Sequence, residues 1–263
     1  MRTTKIVALA LLFIFATIGF AQDPAPAAKE ETKAAPAKEE TKAPPAKAAK
    51  VKFERIKTIE SPKDQTPKSK EVAIINVEGF GRIVLGFFPD KAPNHVKNFI
   101  KLAKAGFFDG TTFHRIIPGF MIQGGDPNSK DDDPSNDGMG GSPDKVNAEF
   151  NDLHHLPGTL SMARTNDPNS ATSQFFICHK AAQQLDHQYT IFGQVLSGMD
   201  VVDKIASAPR GAQDNPFAAD SPKRQKIAMK VTIAKWADVA PEGSKPAKDK
   251  APEAEKAPAD DKK

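Results

Sequence analysis

Two long stretches of this 263-residue chain, residues 22–50 and 241–263, contain no Phe, Ile, Leu, Met or Trp. A segment without large apolar side chains buries too little surface to offset the entropy lost on folding. Any hydrophobic core is therefore confined to the interval between them. That interval is expected to hold one domain, residues 71–238, of ordinary size for a single core. The flanks read as disordered, 22–70 as a linker with a transitional end and 239–263 as a charged tail. The linker repeats itself: Ala28-Lys-Glu-Glu-Thr-Lys-Ala-Ala-Pro36 is followed by Ala37-Lys-Glu-Glu-Thr-Lys-Ala-Pro-Pro45. A nine-residue period with Pro in each copy suits a spacer rather than a solenoid. In the transitional piece, Val51, Phe53 and Ile56 are able to form a short strand against the domain, whereas Pro62 and Pro67 favour extended chain.

The first 21 residues read as a targeting segment. Arg2 and Lys5 precede an uncharged apolar run from Ile6 to Phe20, and Gly19-Phe20-Ala21 places small residues for cleavage before Gln22. The run is short of the roughly 20 apolar residues that span a bilayer. Export to a periplasmic or other extracytoplasmic space is expected, with an uncleaved N-terminal anchor as the alternative. No membrane contact is expected beyond the signal peptide. Cys178 is the single cysteine, which excludes an internal disulfide.

The net charge of +4 is unevenly spread. Residues 71–238 carry 17 Lys and Arg against 19 Asp and Glu, so the basic excess belongs to the N-terminal arm. The domain offers no basic face of the kind a nucleic-acid binder needs.

Hydrophobic periodicity makes the domain mainly β. Ile74–Val77 and Ile83–Phe88 flank Glu78-Gly-Phe-Gly81, a hairpin signal. Short apolar strands follow at Thr112–Ile116, Phe120–Gln123, Thr159–Met162, Phe175–Cys178 and Ile191–Val195. In the last strand Ile227, Met229, Val231 and Ile233 alternate with polar residues. Two helices are expected, Ala92–Gly106 and Met199–Ala206, the first with Val96, Phe99, Ile100, Ala103 and Phe107 on one face. Many short strands with few helices fit a closed antiparallel barrel capped by two helices.

Several motifs carry little weight. Gly79-Phe-Gly81 is half a nucleotide fingerprint, but no helix follows it. Asp133, Ser135, Asp137, Gly138 and Asp144 have the spacing of a calcium loop, without the flanking helices. His154 and His155 are adjacent, so in regular structure they point to different sides and make a poor metal pair. There is no Gly-x-Ser-x-Gly elbow, and Cys178 sits in an apolar strand that suits an inert thiol.

Two segments stand apart. One is Phe113-His-Arg115-Ile-Ile-Pro-Gly-Phe120-Met121-Ile-Gln123-Gly-Gly-Asp126; the other runs from Leu160-Ser-Met-Ala163-Arg164 to Gln174-Phe-Phe176-Ile-Cys178. Strand alternation in the first would send Phe113, Arg115 and Ile117 to one side. An arginine on the apolar side of a strand is costly unless it is paired. These segments resemble the signature stretches of cyclophilins, the peptidyl-prolyl cis/trans isomerases. The likeness extends from about Glu71 to Trp236 and includes Phe88-Pro-Asp-Lys-Ala-Pro93, Gly110-Thr-Thr-Phe-His-Arg115, Gly138-Met-Gly-Gly141 and Phe192-Gly-Gln-Val195.

The resemblance implies an eight-stranded antiparallel barrel closed at each end by a helix, and prolyl isomerase activity on proline-containing polypeptide clients. It implies a catalytic arginine at Arg115. Gln123 would bond substrate backbone and help orient it. Phe120, Met121, Phe176 and Leu185 would wall a proline pocket, with Ala163 and Gln174 along the adjoining groove. The backbone carbonyl of Arg164 would contact substrate. Gln184 stands where relatives carry a tryptophan, and Tyr189 where they carry a pocket histidine, so weak cyclosporin binding is expected. No cofactor or metal is implied, and a monomer is expected. A non-catalytic peptide-binding chaperone and a surface tether built on the Ala/Pro/Lys arms are the competing readings.

Overall fold

The computed structural model describes residues 53–58, 60–209 and 226–242. The expected signal segment, the repeat and the tail beyond 242 lie outside the described residues, as does 210–225 within the domain. In chain order the elements are β1 (Glu71–Val77), β2 (Gly81–Phe87), α1 (Pro93–Lys104), β3 (Arg115–Ile117), β4 (Met121–Gly124), β5 (Thr159–Met162), β6 (Phe175–Cys178), β7 (Ile191–Ser197), α2 (Met199–Ala206), β8 (Met229–Lys235) and α3 (Trp236–Val239). The eight strands form one antiparallel sheet in the order β3-β4-β6-β5-β7-β2-β1-β8.

The sheet curls but does not close by a continuous ladder. Its two outer strands, β3 and β8, are joined through a single bridge, Thr112 to Ala228, flanked by Phe113 N donating to Ile227 O at 3.1 Å and Gly110 N to Met229 O at 2.9 Å. Closure is thus less complete than the periodicity suggests, because β3 holds only three residues. The same irregularity overturns the expected alternation around Arg115. Phe113 joins the main core, whereas Ile117 packs in a separate cluster with Met121 and Phe176. Period-two alternation holds only along a regular strand, and residues 113–114 precede one. Trp236 does not extend β8 but opens the short α3.

The main core lies inside the curl. Ala73, Ile75 and Val77 of β1, Ile83, Leu85 and Phe87 of β2, and Met229 and Val231 of β8 all point into it. The α1 helix starts at Pro93, whose fixed φ suits a first turn, and buries Val96, Phe99 and Leu102. Phe99 stacks on Phe108 with ring centres 4.9 Å apart and meets Phe175 edge-on at 5.4 Å. Each such buried ring stabilises the fold by about 1.5–3 kcal/mol.

The outer faces of β1 and β2 are apolar as well. Val72, Ile74 and Val84 form a second cluster with Leu196, Ala234 and Val239, covered by Ile56 and Phe53. Residues 53–58 and 60–70 therefore dock on the barrel, and packing begins earlier than the composition break at 71 indicates. Ile56 N donates to Val239 O at 2.8 Å, and Glu60 N donates to Leu196 O at 2.8 Å. No strand forms there; extended chain is held by isolated bonds.

His95 on α1 is buried, with Nδ1 2.6 Å from Glu149 Oε2. Burial lowers its pKa below the ordinary value and outweighs the opposing pull of Glu149. Its Nε2 has no partner among the described residues, so protonation would bury an unsatisfied N–H. A histidine whose folded pKa is depressed binds protons preferentially when unfolded, so stability falls as pH drops through the unfolded value of about 6.5. Thermal unfolding between pH 8 and pH 5 is expected to show a falling Tm on the acid side. His95→Gln, whose amide can donate to Glu149 without titrating, should shrink that fall; an unchanged pH profile would contradict the assignment.

Candidate active site

The β3–β4 ladder places Arg115 directly opposite Gln123. Arg115 Nη1 donates to Gln123 Oε1 at 3.2 Å, and Gln123 Nε2 donates to Gln174 Oε1 at 2.9 Å. Gln174 Nε2 in turn donates to the carbonyls of Gly138 and Gly140, at 2.9 and 2.7 Å. The direction of this relay is set at its far end. Two carbonyls accept only from an NH2 group, so the Gln174 oxygen must face Gln123, and the Gln123 oxygen must face the guanidinium. Arg115 is half-buried. Burial lowers its pKa from the usual value, with Tyr189 opposing, yet a guanidinium stays charged in any protein environment.

Beside this cation lies an apolar wall. Met121 and Phe176 are buried at the centre of a cluster that Phe120, Ala163, Leu185 and Tyr189 complete from the solvent side. Phe176 on β6 is the cross-strand partner of Gln123 on β4. It meets Tyr189 edge-on, ring centres 5.9 Å apart. Phe120 sits in the β3–β4 turn, where its carbonyl accepts from His179 N at 2.8 Å and the neighbouring Gly119 N donates to His179 Nδ1 at 3.0 Å. Cation and wall share one open cleft of about 550 Å³.

All ten residues singled out in the sequence line this cleft: Arg115, Phe120, Met121, Gln123, Ala163, Arg164, Gln174, Phe176, Leu185 and Tyr189. Gln184 does not line it. Arg164 does more than offer a carbonyl. Its guanidinium lies 4.5 Å from the centre of the Tyr189 ring and donates to Gln188 O at 2.8 Å, bracing the aromatic wall. The sequence reading missed Met139, Thr172 and the loop from Gly138 to Ser142 as lining residues. Met139 is 77% exposed, and an exposed Met beside glycines was the available signal.

Behind the wall stands an array that the sequence reading did not anticipate. His154 and His155 do not point apart: both turn Nδ1 to Asp186, each at 2.8 Å, because they lie in a loop rather than a strand. His155 is fully buried, its ring nearly parallel to Phe176 at 5.9 Å between centres, and its Nε2 lies 3.0 Å from Ser161 Oγ. Burial lowers the His155 pKa despite Asp186. Burial alone would raise Asp186, but bonds from His154 and from the His155 backbone and ring bring it down to about 2. Serine, imidazole and carboxylate thus stand in the order of a hydrolase triad, yet Ser161 is sealed from solvent and no substrate carbonyl can reach its hydroxyl. Cys178 is likewise buried, and burial pushes its thiol up to about 12, which keeps it protonated and unreactive. In the acidic loop, Asp133 Oδ1 accepts from the amide and hydroxyl of Ser135, and Asp144 pairs with Lys101 at 2.6 Å.

The family of cyclophilin-type peptidyl-prolyl cis-trans isomerases matches residues 72–232. A peptidyl-prolyl cis-trans isomerase of Synechococcus elongatus is 51% identical over 122 residues, 46% of this chain and 78% of that protein. A probable peptidyl-prolyl cis-trans isomerase of Brucella abortus is 46% identical over 145 residues, 52% of this chain and 74% of that one. Among solved structures, a cyclophilin-type isomerase of Cryptosporidium parvum, crystallised in the presence of the dipeptide Ala-Pro, superposes with a TM-score of 0.54 at 29% identity, covering 62% of this chain and 99% of that one. A cyclophilin from Hirschia baltica gives 0.50 at 26% identity over 70% of this chain and 84% of its own. A curled eight-stranded sheet, an arginine held at the lip of an apolar cleft and a family match across most of the domain agree: this chain belongs to the cyclophilin-type peptidyl-prolyl cis-trans isomerases.

Proposed function

We propose that this isomerase turns X–Pro bonds by gripping the proline ring against Phe176 and Met121 while Arg115 stabilises the twisted amide. The observation that carries this reading is the amide relay, which aims a permanent cation along one edge of an apolar cleft. Rotation about an X–Pro bond disrupts amide resonance and faces a barrier near 18–20 kcal/mol. A thousandfold acceleration requires ~4 kcal/mol off it. In the planar ground state the prolyl nitrogen shares its lone pair with the carbonyl and is a poor acceptor. In the twisted state the lone pair returns to nitrogen, and a guanidinium N–H donates to it. A charge-assisted bond of ~1.5–3 kcal/mol that forms only in the transition state lowers the barrier without tightening ground-state binding. The preorganised relay adds to this, since the donor need not reorient as the bond turns.

No covalent step occurs in this scheme, and the peptide leaves as it came, with one torsion changed. Gln123 binds substrate backbone while holding Arg115, and Ala163, Gln174 and the Arg164 carbonyl line the path of the chain on either side of proline. Clients are proline-containing polypeptides. The n-region, apolar run and small-residue site at the N-terminus support export, so that such clients would be secreted chains. The repeat then spaces the domain from its surroundings.

Arg115→Ala is expected to lower kcat by about 10- to 100-fold, the equivalent of one charge-assisted bond, with KM little altered. Arg115→Lys should recover little, because an ammonium cannot reproduce the planar fork that Gln123 holds. Phe176→Ala should instead raise KM about tenfold or more by opening the pocket. A protease-coupled isomerisation assay on an Ala-Pro peptide, with circular dichroism as a check on folding, measures all three. Wild-type turnover in folded Arg115→Ala would favour a peptide-binding chaperone instead. Mass spectrometry of the mature protein is expected to place its N-terminus at Gln22; a cytoplasmic chain beginning at Met1 would refute export.

A further inference from the structure

The segment that precedes β1 lies outside the family match, which begins at residue 72. Its described residues, 53–58 and 60–70, are nevertheless bonded to the barrel at several points. Ile56 is fixed near α3, and Ser69 Oγ accepts from Phe87 N at 3.0 Å. Between these points Pro67 lies against β2 at Gly86, where a Cβ would come within 2.6 Å of the proline ring. The barrel is thus shaped to receive this segment. Its most buried polar residue is Gln65, 4% exposed, at the end of the 3-10 turn Lys63–Gln65. Gln65 uses both ends of its amide on one residue. Oε1 accepts from His154 N at 2.7 Å, and Nε2 donates to His154 O at 3.0 Å. A side chain that pairs with both main-chain groups of a loop residue fixes that residue's position and its orientation.

The next residue is His155, whose ring backs Phe176 and is tied to Asp186, the neighbour of Leu185. We propose that Gln65 is a positioning residue for the isomerase site: by clamping the His154–His155 loop it holds the His155 ring against Phe176 and so keeps the proline pocket in shape. The inference rests on the reading of Phe176 as a pocket wall. It makes the docked segment before β1 part of the working enzyme and not only a cover for apolar surface. The effect falls on binding, because Gln65 lies apart from the relay that aims Arg115, and turnover of bound peptide should persist.

The test is steady-state isomerisation of an Ala-Pro peptide by the full chain. Gln65→Met keeps the length of the side chain and removes both bonds; Gln65→Glu keeps the acceptor alone. Gln65→Met is expected to raise KM about fivefold, the size of one lost neutral hydrogen bond, with kcat near wild type. Gln65→Glu should fall between the two. The effect of Gln65→Met should vanish in a Phe176→Ala background, since coupled residues are non-additive. Val84→Ala, in the same outer layer, should lower Tm without moving KM. If Phe176→Ala raises KM but Gln65→Met does not, the clamp is wrong and the pocket reading stands. If Phe176→Ala leaves KM unchanged, the pocket reading fails first and takes the clamp with it. An equal effect of Gln65→Met in both backgrounds, or failure of Gln65→Met to fold, would also overturn the proposal, the latter by making Gln65 an element of stability only.

Discussion

A guanidinium at the edge of an apolar pocket loses hydration and must recover it from the protein, and the amide relay from Gly138 and Gly140 through Gln174 and Gln123 does so. Each amide has one way to face, because the carbonyls at the far end accept and never donate. The relay crosses three separate parts of the chain, and only the curl of the sheet brings them together. The β3–β4 register supplies one contact, and the loop around Gly138 supplies the last. A slip of one residue in that register would turn Gln123 away from the guanidinium and break the relay.

The apolar side of the cleft depends on a second polar array, buried at His155 and Ser161 and reaching solvent at His154. Asp186 binds His154 and His155 together, and His155 lies flat behind Phe176. A buried network of this kind is stabilising only when every member is satisfied, and here Asp186 is ionised and His155 is favoured as neutral. The same residue types in the same order perform nucleophilic catalysis when serine faces a substrate. Here burial converts them into a rigid backing. What a constellation does is set by access as much as by spacing.

Much of the fold was legible in the sequence because strands and helix faces that are buried must be written as apolar runs or apolar periodicity. The limits of α2, β5 and β6 match the apolar runs at Met199–Ala206, Thr159–Met162 and Phe175–Cys178. Failures cluster where the chain leaves regular structure. Phe113 was assigned to the side of Arg115, but the residues before β3 follow no strand period. The docked segment from Phe53 was obscured by its prolines, since isolated long-range bonds leave no periodic trace. Its signatures were its own Phe53 and Ile56, which the sequence offers for packing against the domain, and the outward-facing Val72, Ile74 and Val84, an apolar face in need of a cover.

By itself the sequence determined the confinement of the core between two apolar-poor flanks and the mainly β character, and its resemblance to the cyclophilin segments named ten of the residues that line the cleft. Short-range pattern and motif suffice for these, because they depend on residue type and near neighbours. Tertiary structure alone decided that the sheet stops short of full closure, that His154 and His155 converge on one carboxylate, that Arg164 braces Tyr189, and that Gln65 reaches the loop behind the pocket. Each of these joins residues distant in the chain or set in irregular backbone, where the direction of a side chain follows from what packs around it and not from its place in a repeat.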